Sequence, residues 1–161
     1  MITDAFLLLD SGKETVRNAN TYVSTNTVDL SVNRDIGAGE QLKVLWNIET
    51  AYAGGTQITF QQILSAAANL GSAVVIDGGV TVPLANLILG AMVVRTIPEL
   101  LGGPAGVTAP ASGVNGLGSP GLRYYGTQEV STGIMSAGKH STRIIKDVIN
   151  VKHYPSGWSI A

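Results

Sequence analysis

The sequence predicts an all-β sandwich or jelly roll, and three observations predict it. About seven or eight short apolar or alternating runs recur at fairly even spacing, with Gly, Asn, Asp and Pro clustered between them. Short strands joined by turns have this pattern. In the clearest run, Gln41 to Glu49, Leu42, Val44, Trp46 and Ile48 share one face while Gln41, Lys43, Asn47 and Glu49 share the other, with Leu45 the exception. Period-two alternation of this kind gives a strand one buried and one wet face. No internal repeat at the usual period of about 20 to 50 residues is visible, and 161 residues suffice for a single domain, taken as residues 1–161, with its own core.

Residues 5 to 9 read as a first short strand or docking segment, ended by Asp10-Ser11-Gly12. Residues 11 to 26 are polar and read as a surface loop, or as an arm that orders on a partner. A strand over Thr27–Val32 leads into a turn made of Asn33, Asp35, Gly37 and Gly39. Ala53-Gly54-Gly55 then joins the Gln41–Glu49 strand to one beginning at Gln57, which reads as an antiparallel hairpin. Ile58 and Phe60 continue a strand face, although Phe60, Ile63, Leu64, Ala67 and Ala68 also fit a helical stripe; residues 57–64 are taken as strand, with room for one helical turn before Gly71.

Asp77-Gly78-Gly79 is a strong turn signal, connecting Ala73–Ile76 to Val80–Val82, and Pro83 limits the second run. Leu87–Ile97 is apolar with little alternation and rich in β-branched residues, which fits a strand buried on both faces. Leu101–Gly121 carries seven glycines, three prolines and no charge. Regular structure does not survive that composition, and an uncharged loop of this length is either mobile or packed on a neighbouring chain through Val107, Val114 and Leu117. Strand character resumes over Leu122–Val130, where Gly126 reads as a bulge, and Ser136–Gly138 reads as a turn. Thr142–Val151 has apolar residues on both faces, as an inner strand or a strand at an intersubunit seam does. The C-terminal tail, residues 152–161, carries Tyr154, Trp158 and Ile160, which call for a groove to lie in.

Composition narrows the function. Charged residues are only 13% of the chain and the net charge is -1, so neither a nucleic-acid nor a polybasic membrane-binding footprint is present. The absence of cysteine removes disulfides and thiolate metal sites. Phe6–Leu9 is too short for a secretory signal, and Leu87–Val94 is too short for a membrane helix, so synthesis in the cytoplasm is expected.

Catalytic patterns are missing. The two histidines, His140 and His153, have no metal-ligand spacing and read as exposed or interface residues. Ser136 and Ser141 near His140 lack a nucleophile-elbow context. Gly113–Gly118 does not have the dinucleotide-binding order, and no cofactor is expected. Asp35 and Glu40 flank a turn and read as capping groups; the alternative is a calcium site made by Asp29, Asp35 and Glu40. Trp46 reads as core and Trp158 as an intersubunit residue.

Leu8-Leu9-Asp10-Ser11, Ser24-Thr25-Asn26 before Val28-Asp29-Leu30, Arg34-Asp35-Ile36-Gly37-Ala38-Gly39-Glu40, Ala51-Tyr52-Ala53-Gly54-Gly55-Thr56 and Ile58-Thr59-Phe60-Gln61 together resemble the capsid cement, or decoration, proteins of tailed bacteriophages. The resemblance covers residues 7–61, with Val82-Pro83-Leu84 and Leu122-Arg123-Tyr124-Tyr125 in compatible places; Leu87–Gly121 departs from it, being longer and richer in glycine. It implies a jelly-roll-like antiparallel fold, a homodimer, attachment to the major capsid protein on the outer surface of a virion, and no enzymatic activity. Loop 101–121 and tail 152–161 are then the expected contact elements, through Val107, Val114, Leu117, Tyr154, Trp158 and Ile160. The competing expectations are a carbohydrate- or receptor-binding β module on the virion, which needs an exposed aromatic platform, and a hydrolase, which needs converging carboxylates or histidines.

Overall fold

The structure is a computed structural model that describes residues 7–14, 21–30, 42–98 and 122–146. They form nine strands: β1 (Leu8–Glu14), β2 (Thr21–Val23), β3 (Val28–Asp29), β4 (Lys43–Gly54), β5 (Gln57–Ser65), β6 (Val74–Pro83), β7 (Met92–Thr96), β8 (Tyr124–Thr132) and β9 (Met135–Ile145). One sheet has the order β1-β9-β4-β7; the other has β2-β8-β5-β6, with β3 also on β8. All the pairs are antiparallel. β2 and β3 face successive stretches of β8, Val130–Gln128 and then Tyr125–Tyr124, so they serve as one interrupted strand. Two four-membered sheets in this order make a jelly-roll-like antiparallel sandwich.

Alternation places the core. Val44, Trp46 and Ile48 of β4 are fully buried, as are Ile58 and Phe60 of β5. The Trp46 and Phe60 rings meet across the sheets at 5.4 Å with a 48° tilt. Leu45 is buried too, on the other face, between Val94 of β7 and Arg143 of β9 in register. β9 is an inner strand with Ile144 and Ile145 both buried, which bears out the expected position for residues 142–145, although the strand starts earlier, at Met135, and residues 147–151 of the expected run lie outside the described residues.

The glycine-rich corners differ from expectation. The hairpin at Gly54-Gly55 does not form, because β4 and β5 lie in different sheets. The chain crosses between the sheets there, and the β8–β9 connection at Gly133 crosses back beside it. Both crossings need positive φ, 75° and 57° at Gly54 and Gly55 and 87° at Gly133. They also run too close for side chains: a Cβ on Gly54 would lie 2.5 Å from the Ile134 carbonyl oxygen, and one on Gly133 2.9 Å from the Gly55 Cα. Thr56 N–H donates to the Thr132 carbonyl at 2.8 Å and ties the crossings together.

Asp77-Gly78-Gly79 is likewise no hairpin turn. β6 runs straight through it as the partner of β5, and an extra residue bulges between the pairs Phe60–Val80 and Gln62–Asp77. Gly79, at φ 80°, lets the Phe60 carbonyl approach to within 1.9 Å of where a Cβ would sit.

Other boundaries move for the same reason: a long partner strand carries the chain past a local turn signal. β1 continues through Asp10-Ser11-Gly12 with register shifts against β9, and β9 continues through Ser136–Gly138. Residues 21–23, expected in a loop, are strand, since β8 offers them an open edge. Gly126 is not a bulge: its register with Ile63 is unbroken, and its missing side chain admits Leu70 and Ser24 instead. After Ser65 the chain makes a Leu70 N–H to Ala67 carbonyl turn rather than a helical turn. Leu87–Ile97 is not a doubly buried strand. Only Met92–Thr96 is strand, at a sheet edge, after a 3-10 turn at Leu84–Asn86, while Ile88 and Leu89 are exposed. The turn at Asn33–Gly39, the 101–121 loop and the 152–161 tail lie outside the described residues.

The Gly79 bulge gives a direct test. Gly79→Ala forces β5 and β6 apart and is expected to cost about 2 to 4 kcal/mol in urea denaturation. Gly78→Ala meets nothing within 4 Å and is expected to cost under about 1 kcal/mol.

Candidate functional site

The six residues expected to make contacts, Val107, Val114, Leu117, Tyr154, Trp158 and Ile160, all lie outside the described residues, as do His153, Asp35 and Glu40. The described residues offer other surface for contact. Ile134 is 63% exposed at the tip of the β8–β9 crossing, and Ile88 and Leu89 are 59% and 50% exposed in the segment before β7. That segment follows the second half of β4, through Gly90 N–H to the Ile48 carbonyl and Tyr52 N–H to the Leu87 carbonyl, both at 2.9 Å. Gly54, which ends β4, pairs with Met135 next to Ile134. Ile88, Leu89 and Ile134, the three most exposed of the large apolar side chains among the described residues, thus each lie alongside the second half of β4, while Leu7, Leu42, Val74, Val75 and Met92 are less exposed and lie elsewhere. Trp46 is buried, as expected of a core residue, so it forms no glycan platform.

Between the sheets lie two polar networks that alternation alone does not announce. The first starts at Tyr125, whose hydroxyl donates to Gln62 Oε1 at 2.8 Å. Gln62 Nε2 donates to Asp77 Oδ2 at 3.0 Å and to the Thr96 carbonyl at 2.9 Å. Arg95 completes the network with a fork onto Asp77, Nε to Oδ2 at 3.0 Å and Nη2 to Oδ1 at 2.8 Å. Four strands, β8, β5, β6 and β7, and both sheets are linked this way. Gln62 is fully buried with its amide oxygen and nitrogen both engaged, so it adds specificity without an orphaned polar group. The Arg95 hydrogen bonds hold the Asp77 carboxyl below its ordinary range, helped by the Gly79 N–H. Burial pushes the Tyr125 phenol far up, and the Asp77 charge adds to this.

The second network joins β1, β9 and β8. Asp10, Glu129 and His140 are each fully buried. A register shift between Leu8 and Asp10 accompanies burial of both Leu9 and Asp10, consecutive residues that a regular strand would turn to opposite faces. Asp10 Oδ1 accepts the Thr25 N–H at 2.8 Å. Lys13, opposite His140 in register, brings Nζ to 3.5 Å from Asp10 Oδ1 and 3.9 Å from Glu129 Oε2, and donates to the Val23 carbonyl. His140 Nε2 is 3.4 Å from Glu129 Oε1, and its Nδ1 is 2.6 Å from the Tyr52 hydroxyl. The His140 ring also stands edge-on to Phe60 at 6.0 Å.

His140 is thus a correction: it is a buried core residue, not an exposed or interface one. The available signal was its alternation with Thr142 and Ile144, which puts it on the inward face of β9. Its ring nitrogens face Tyr52 and Glu129 rather than Ser136 or Ser141. Asp29, a possible calcium ligand by sequence, instead takes a forked ion pair from Arg123 on the surface. Asp10, Glu129 and His140 are the group able to hold a metal among the described residues.

Asp77 predicts an acid response. Its pKa is lowered by folding, so its contribution is complete above the unfolded value of 3.8 and is lost as pH falls through the lower folded value. Asp77→Asn is expected to cost about 1 kcal/mol at pH 7, limited by the part of Arg95 that remains in water. Its deficit against the native chain should shrink in urea titrations at pH 3 and below.

Among the described residues no helix is long and apolar enough to cross a membrane. The sequence model of the Bbp16 family matches residues 14–144, most of the chain. No curated protein matches it.

Proposed function

This chain belongs to the Bbp16 family, a phage-related family, and on that premise we propose that it is a capsid cement protein. It binds the outside of a phage head and bridges major capsid protein subunits. The reading rests on the likeness of residues 7–61 to the decoration proteins of tailed phages, and the match to a phage-related family over residues 14–144 is compatible with it. Its support is physical as well: a low-charge jelly-roll sandwich with large apolar side chains left in water at Ile134, Ile88 and Leu89.

The mechanism is burial of surface. A DNA-filled shell is pushed outward from within. A protein seated across a junction of capsid subunits adds contact area that must be stripped away before they separate. Specific association usually buries about 1,600 Å². A homodimer presents the same patch twice about a two-fold axis, and each copy held at one point reaches the second at high effective concentration. The 101–121 loop and the 152–161 tail, with Val107, Val114, Leu117, Tyr154, Trp158 and Ile160, are proposed contact elements alongside the end of β4. The sandwich contributes rigidity through its two interior polar networks.

Heads lacking the protein are expected to release DNA at lower temperature than complete heads, with the deficit restored by adding purified protein. Equal release temperatures would remove the stabilising role. Ile134→Lys is expected to weaken binding to heads at least about tenfold while leaving the melting temperature of the free protein nearly unchanged, since Ile134 lies mostly in water.

A further inference from the structure

The network around His140 contains more acceptor capacity than the protein fills. Asp10 Oδ2, both carboxylate oxygens of Glu129 and His140 Nε2 are buried without a hydrogen-bond partner. Buried polar atoms are nearly always partnered, and four orphans in one cluster are exceptional. One donor atom from each of the three residues lies within 4.8 Å of the others. One pair, His140 Nε2 and Glu129 Oε1, is 3.4 Å apart, too long for a good charge-assisted hydrogen bond. It is close to the spacing of about 3.3 Å between two ligands of a tetrahedral ion with bonds of about 2.0 Å.

We propose that Asp10, Glu129 and His140 form a buried site for one divalent transition-metal ion of the zinc class, clamping β1 and β9 of one sheet to β8 of the other. One imidazole and two carboxylates suit zinc or manganese, while the lack of cysteine excludes thiolate ligation. The outer shell fits as well. With Nε2 on the ion, Nδ1 carries the proton and donates it to the Tyr52 hydroxyl oxygen at 2.6 Å, which fixes the tautomer and the ring. Thr25 N–H likewise orients Asp10 through Oδ1 and leaves Oδ2 for the ion.

Lys13 is the rival cation. It approaches Asp10 Oδ1 and Glu129 Oε2, yet it spends a hydrogen bond on the Val23 carbonyl and supplies one positive charge against two carboxylates. The ion takes the side that Lys13 leaves open. The site is independent of the capsid role: a protein that cements heads need not bind metal, and a metal-binding sandwich need not cement heads.

The test uses the full chain stripped with a chelator and titrated with zinc chloride, with manganese chloride in parallel. Calorimetry is expected to give one ion per chain, a raised melting temperature, and an X-ray absorption spectrum with nitrogen and oxygen ligands at about 2.0 to 2.2 Å including an imidazole. Glu129→Gln, which keeps the shape of the side chain, is expected to lower affinity at least about tenfold while still folding. Uptake of manganese in place of zinc, lost in the same variant, upholds the site and assigns the harder ion. No stoichiometric uptake of either metal, a shell without imidazole, or undiminished binding by Glu129→Gln overturns it. Should the variant fail to fold, the absorption spectrum of the native chain decides alone.

Discussion

The close passage of two backbone crossings at one corner of the sandwich governs the rest of the architecture. Gly54-Gly55 carries the chain out of one sheet, and Gly133 carries it back, with the two stretches of main chain in contact. Because both crossings occur together, β4 and β9 emerge as neighbours in one sheet and β5 and β8 as neighbours in the other. Those four inner strands hold Trp46, Ile48, Ile58, Phe60, Tyr125 and Ile144, so the core follows from where the crossings are. A side chain at Gly54 or Gly133 would meet main chain first, and one at Gly55 would meet both the Met135 side chain and the Thr132 carbonyl.

Within that frame the interior is less apolar than its composition implies. Trp46 and Phe60 supply the contact between sheets, but two polar networks flank it. The Tyr125–Gln62–Asp77–Arg95 chain is satisfied at each of its links and reaches the surface through the arginine. The Asp10–Lys13–Glu129–His140 cluster is enclosed and leaves acceptors unfilled. Both join one sheet to the other. Polar groups in such places favour one register over its neighbours, because a slip of one residue would leave each partner stranded. In the proposed cement role such rigidity would keep contact residues at a fixed spacing across a junction while the shell strains.

The alternation of Val44, Trp46 and Ile48, the continued face at Ile58 and Phe60, and the opposed apolar residues of β9 made the sandwich legible before any coordinates. What could not be read was the meaning of each glycine. Gly54-Gly55, Gly78-Gly79 and Gly138 look alike as turn signals, yet one is a crossing between sheets and the others sit within long strands. The distinction depends on whether a partner strand continues alongside, which is information held some 20 to 80 residues away in the pairs Phe60–Val80 and Gly54–Met135. The site was hidden for a related reason. Asp10, Glu129 and His140 are far apart in sequence and each stands among unremarkable neighbours; only the pairing of β1 with β9, and the facing of β8 across the core, gathers them. The expected contact residues of the loop and tail lie outside the described residues, and the exposure of Ile88, Leu89 and Ile134 follows from where the connections between strands run.

The central claim is that this sandwich works by adhesion to an assembled shell. Cryo-electron microscopy of intact particles at side-chain resolution tests it most directly. The account predicts density for this fold on the outer face of the head, seated over junctions between major capsid subunits. Finding the chain only at the tail, inside the head, or absent from the particle would contradict it.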